Sequence, residues 1–102
     1  MTDIVELHRA LVARILESEA KAPPEMRRAA FDNSGLSEPV RTLIEKVAHQ
    51  SSAVTDGDIA AASATGMSED QIFEIVVCAA IGQADRQYNC ARAALAEAEG
   101  RR

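Results

Sequence analysis

The sequence has 102 residues, with 11 Lys and Arg against 16 Asp and Glu, and a formal net charge of −5. That is room for one domain, 1–102, with one modest core, and without a basic run interleaved with aromatics it argues against a nucleic-acid partner. No apolar run approaches the roughly 20 residues that span a bilayer, and Met1-Thr2-Asp3 opens no secretory signal, so no membrane partner and a cytoplasmic location are expected.

From Asp3 to Ala20, Ile4, Leu7, Leu11 and Ile15 recur at helical spacing, with Val5, Val12 and Leu16 beside them, which predicts an amphipathic helix. His8, next to Arg9, is expected to face solvent. Pro23-Pro24 ends this helix, because proline disfavours a helical residue before it. A short helix from Pro24 to Phe31 follows, then a turn over Asp32-Asn33-Ser34-Gly35. Ser37 reads as the N-cap of a third helix, in which Val40, Leu43, Ile44 and Val47 share a face up to His49. The stretch 50–53 is open to helix or link. Thr55 and Asp58 read as a capping box for a short helix, and Gly66 as the left-handed residue that closes it.

The last helix carries the clearest signal. Ser68 and Gln71 form a second capping box, and Glu69 and Asp70 complement the positive end of the helix dipole. Ile72, Phe73, Ile75, Val76, Val77, Ala79, Ala80 and Ile81 then make a nearly unbroken apolar run, which predicts burial on nearly every side. Beyond Gly82 the pattern becomes amphipathic to about Glu99, with Glu97 and Arg101 spaced for an ion pair. Read as continuous, this helix is roughly 45 Å long, against about 35 Å for a domain of this size, so either it bends near Gly82 or one end projects, and with no proline after Pro39 projection into a partner is favoured. With Phe31, Phe73 and Tyr88 the only aromatics, the core rests on Leu, Ile, Val and Ala. An Ala-rich core favours close helix approach and added burial between subunits, so a homo-oligomer is expected.

The stretch from about Val40 to Glu97 resembles the alkylhydroperoxidase D-like, carboxymuconolactone decarboxylase-like superfamily. The resemblance rests on Thr55-Asp56-Gly57-Asp58-Ile59, on Thr65-Gly66-Met67-Ser68-Glu69-Asp70-Gln71-Ile72, and on the apolar helix through Arg86. It implies an all-α subunit of about five helices with a long C-terminal helix, a family-like core at about 40–97, and assembly as a trimer or hexamer. Peroxidatic members of that family use a Cys-x-x-Cys pair ahead of the Gly-x-Ser junction, with a nearby His. The matching positions here hold Ser51 and Val54, and Asp58 stands near the place of the His. Neither hydroxyl nor valine supplies a thiolate, so family-type peroxidase activity is not expected.

Three residues are candidates for chemistry. His49 could act as a general base, or serve as a favourable cation at a helix C-terminus. Arg86, with Gln83 and Tyr88, could line a pocket for a small ligand of unknown kind, or join Asp85 or Glu74 in a polar network. Cys90, one turn after Arg86, could be a thiolate or bond to another subunit, or simply pack. Cys78 reads as a small core residue. Cys78 and Cys90 lie 12 positions apart, about 18 Å along one helix, too far for a disulfide that needs α-carbons within about 7 Å. Gly82 reads as a site of close helix approach. No His, Cys or carboxylate set has metal-ligand spacing, and no cofactor is expected. The sequence thus points to a non-peroxidatic, oligomeric binding or accessory protein. The alternatives are an enzyme of the same superfamily with an altered active site, and a helical adaptor for another protein.

Overall fold

The computed structural model describes residues 4–17 and 20–100, and of these the side chains of Ile4, Val5, His8 and Glu17 are left aside. The readings of His8 and of a Glu97–Arg101 pair therefore lie outside the described residues. Five α-helices follow in order: α1 (Ile4–Glu17), α2 (Pro24–Asp32), α3 (Val40–His49), α4 (Asp56–Ser63) and α5 (Glu69–Gly100). A single 3-10 turn, Ser51–Ala53, fills the stretch left open between α3 and α4. Among the described residues there is no strand, as the sequence predicts.

Helix α5 is the axis of the fold. Helix α2 packs along it most extensively and α3 next, while α1 and α4 touch it more lightly. One face of α5 supplies Ile72, Ile75, Cys78, Ala79 and Gly82 to the core. Opposite them stand Leu43 and Ile44 of α3, Ala30 and Phe31 of α2, and Ala62 of α4. Gly82 is where α2 comes closest. A side-chain carbon there would overlap the Phe31 carbonyl oxygen and stand 2.9 Å from the Phe31 α-carbon. The neighbour expected for this glycine is thus α2 of the same chain.

Local chemistry sets the helix ends. Thr55 and Asp58 form the reciprocal capping box of α4. Ser68 Oγ accepts from the Gln71 N–H at 3.1 Å while the Ser68 N–H donates to Gln71 Oε1 at 2.9 Å, which starts α5. Gly66 has φ of 101° and Asn33 φ of 51°, so both take the left-handed conformation that stops a helix. Helix α3 differs from expectation. It begins at Val40 after Pro39, and no side chain of Ser37 caps it. Glu38 takes that role, its carboxylate accepting from the Thr42 N–H at 2.9 Å and from the Thr42 hydroxyl.

The link between α1 and α2 is fastened onto α5. Glu74 accepts the backbone N–H groups of Lys21 at 3.0 Å and Ala22 at 2.6 Å, and Gln71 Nε2 donates to the Lys21 carbonyl at 3.1 Å. This corrects the pairing of Glu74 with Arg86: the two lie twelve positions apart on one helix, about 18 Å along its axis. Helix α1 turns Leu16 inward, with Val12 and Ile15 half-buried, and leaves Leu7 and Leu11 exposed.

The apolar run of α5 is covered on one side only. Phe73 is 68% exposed and Ala80 is also open, while Val76, Val77 and Ile81 are half-buried. Helix α5 stays continuous past Gly82, and its residues 89–100 are all exposed. The molecule accordingly measures 54 × 28 × 21 Å. Among the described residues, no helix is long and apolar enough to cross a membrane.

Candidate functional site

His49 closes α3 beside the C-terminal end of α2. Its Nε2 lies 3.5 Å from Asn33 Nδ2 and 3.7 Å from Glu45 Oε1, and Asn33 Nδ2 also donates to Glu45 Oε2 at 2.8 Å. A neutral ring accepts from the Asn33 amide, whereas a protonated ring donates to the carboxylate. Glu45 stands one helical turn before His49, so α3 itself brings the two together. Asn33 arrives through the left-handed turn after α2, whose N–H donates to the Ala30 carbonyl at 3.2 Å. Beside this cluster a depression of about 330 Å³ is lined by Asn33, Ser34, Arg41 and Glu45 with Gly35 and Leu36. It offers one cation, one anion, an amide and a hydroxyl, a set that suits a small polar molecule.

Arg86 reaches the same end of α2 from the other side. Its Nη1 donates to the Phe31 carbonyl at 2.6 Å and its Nη2 to Gln83 Oε1 at 3.0 Å. The first of these joins α5 to the last turn of α2 and the second braces the guanidinium within α5, so Arg86 holds the helix that leads into Asn33. Cys90 is exposed one turn further along α5, and Cys78 is buried in the core; both are free thiols. Burial pushes the Cys78 thiol above its ordinary value, with the Arg27 cation opposing and the Glu74 anion adding to the rise. The structure therefore gathers His49 with Asn33, Glu45 and Arg41, and leaves Arg86 and Cys90 to other roles. Glu45 could have been found from its four-residue offset to His49. Arg41 lies one turn earlier again on α3, whereas Asn33 belongs to the site only through the tertiary fold.

In the segment matched to the family's thiol pair, Ser51 lies exposed on the 3-10 turn and Val54 is half-buried. Asp58 is tied into the fold, its carboxylate accepting from Lys46 Nζ at 2.9 and 3.0 Å and from the Thr55 N–H at 2.9 Å. Lys46 and Thr55 together hold the Asp58 carboxyl below the usual carboxylate range, the Lys46 hydrogen bond first. A lowered folded value means the stabilisation is present above the unfolded value of about 3.9 and is lost as pH falls further. Asp58→Asn is expected to lower stability at pH 7, and the gap to the parent chain to close below about pH 4. Urea unfolding followed by circular dichroism at pH 7, 5 and 3 measures this; a gap unchanged at pH 3 would contradict it.

Among the described residues, no group of three or more His, Cys, Asp or Glu side chains is placed to hold a metal ion. The chain matches no family model, no curated protein and no solved structure.

Proposed function

We propose that the chain is a cytoplasmic, non-peroxidatic, homo-oligomeric binding or accessory protein of the alkylhydroperoxidase D-like type. The observation that carries this reading is the use made of residues 51–58. Where that type of enzyme would hold its nucleophile and assisting base, Ser51 and Val54 offer no thiol, and Asp58 is engaged by Lys46 and Thr55. The chemistry there is spent on joining α3 to α4. The exposed Phe73 and Leu95, 68% and 62% open, add the argument for assembly, since apolar side chains of this size gain by being covered.

The purified chain supplied with tert-butyl hydroperoxide and a dithiol is expected to consume no more peroxide than the dithiol alone, and to run in light scattering as a multiple of the chain mass. Peroxide turnover that disappears in His49→Ala would overturn the non-peroxidatic reading. The second reading, an altered-site enzyme, is favoured by one observation: the His49–Glu45 contact at 3.7 Å opens beside the polar depression. In that case His49 is the base and Arg41 the anchor for an anionic group.

A further inference from the structure

The face of α5 turned away from the core carries an apolar stripe. Phe73, Val77, Ala80, Ala84, Ala91 and Leu95 follow at intervals of three, four or seven residues, and all but the half-buried Val77 are exposed. At its N-terminal end the stripe opens into a groove of about 540 Å³ between α4 and α5, with Ile59, Ala60, Ile72, Phe73 and Val76 in its wall. At the other end the helix runs bare from residue 89 to 100. Helix α5 thus has a large apolar side chain at each end, Phe73 in a groove and Leu95 on a projecting rod, with Val77 and three alanines between them and Gln87 the polar residue that interrupts the stripe.

We infer that the occupant of this face is α5 of a second copy, laid antiparallel across a two-fold axis near Ala84, so that the tail of each copy covers the groove of the other. The inference rests on the homo-oligomer reading above and gives it a geometry. The lengths match: the bare tail 89–100 and the groove-bearing stretch 69–80 each span about 17 Å of helix. The register matches as well. About Ala84, Phe73 comes opposite Leu95 of the second copy and Val77 opposite its Ala91, while Ala84 meets its own copy.

A parallel pair fits worse. It would press the acidic first turns, with Glu69 and Asp70, against their own copies and align the two helix dipoles. An antiparallel pair opposes the two dipoles. A seam of about seven turns, contributed twice, buries on the order of 1,200 Å², where stable interfaces begin. The two-fold closes on itself and leaves no sticky end. It builds a dimer, or a hexamer when combined with a three-fold, but not a lone trimer.

The test is a crosslinking experiment on the full chain in a Cys90→Ser background. Phe73→Cys and Leu95→Cys are made as separate variants, both at exposed positions, and each is oxidised alone and in an equal mixture. The mixture is expected to give crosslinked dimers of unlike variants at least tenfold above either variant alone, because like positions in the antiparallel pair lie roughly 33 Å apart. The parent chain supplies a readout that needs no substitution. Its Cys90 lies about 18 Å along the axis from Cys90 of the second copy and is expected to form no disulfide on mild oxidation. An oligomer showing like-variant crosslinks or a Cys90–Cys90 disulfide would overturn the antiparallel pair and leave the oligomer reading standing. A monomer at tens of micromolar would overturn both.

Discussion

Gly82→Ala is expected to lower the stability of the fold by about 3 kcal/mol, although alanine is the better helix former by about 1 kcal/mol. The added carbon would overlap the carbonyl oxygen of Phe31 and stand 2.7 Å from its carbonyl carbon and 2.9 Å from its α-carbon. Those are backbone atoms near the end of a helix, so no rotamer change relieves the clash. Helix α2 has to move away from α5. That motion unpacks Phe31 and Ala30, both buried against α5, and stretches the 2.6 Å bond from Arg86 to the Phe31 carbonyl. At 4–8 °C per kcal/mol for a domain of this size, the melting temperature falls by roughly 12–24 °C. Gly57→Ala is the control. Its added carbon would meet only Thr55 Oγ1 at an ordinary 3.5 Å, and stability should change by less than about 0.5 kcal/mol. Thermal melts within a few degrees of the parent for Gly82→Ala would show that α2 and α5 are not locked at this point.

How this close approach arises also shows what a sequence can and cannot display. Both capping boxes, Thr55 with Asp58 and Ser68 with Gln71, were legible because their chemistry closes within four residues. The left-handed Gly66 and the turn at Asn33 were legible for the same reason. Gly82 was legible as a place of close approach, but its partner, a carbonyl 51 positions earlier, exists only after folding. The apolar run of α5 read as a segment to be buried on every side, and the chain buries one side. Periodicity reports a demand for cover and says nothing about which molecule meets it. His49 stood out by residue type, whereas its site did not: Asn33 joins it across the junction of α2 and α3. Arg27 was the most hidden of all. Nothing in its local sequence marks it as a core residue, because a charged side chain is seldom buried unless something answers its donors.

Those donors make Arg27→Met the second consequential substitution. Arg27 is 3% exposed, and its Nε donates to the Ala22 carbonyl at 3.2 Å and its Nη1 to the Ile15 carbonyl at 3.0 Å. Methionine keeps much of the apolar stem and supplies no donor, so two carbonyls lose their partner at roughly 1–3 kcal/mol each. Relief from burying a charge offsets part of this, leaving a net loss of about 2–4 kcal/mol. The loss should fall first on α1, which among the described residues packs on the core through Leu16 and the half-buried Val12 and Ile15. Hydrogen exchange of α1 amides is therefore expected to accelerate at least tenfold before that of residues 72–82 changes, whereas Arg28→Met, at an exposed ion pair with Asp32, should alter neither. Cys78 offers an independent readout, since it shares with Ile15 and Arg27 a cavity of about 160 Å³ that α1 covers. When α1 lifts, a thiol reagent gains access to it. Removing the Arg27 cation also takes away the group that opposes the rise of the Cys78 thiol, which makes the thiol less reactive rather than more. Faster labelling of Cys78 in Arg27→Met can then only report opening, and labelling as slow as in the parent would mean that α1 is held by something other than Arg27.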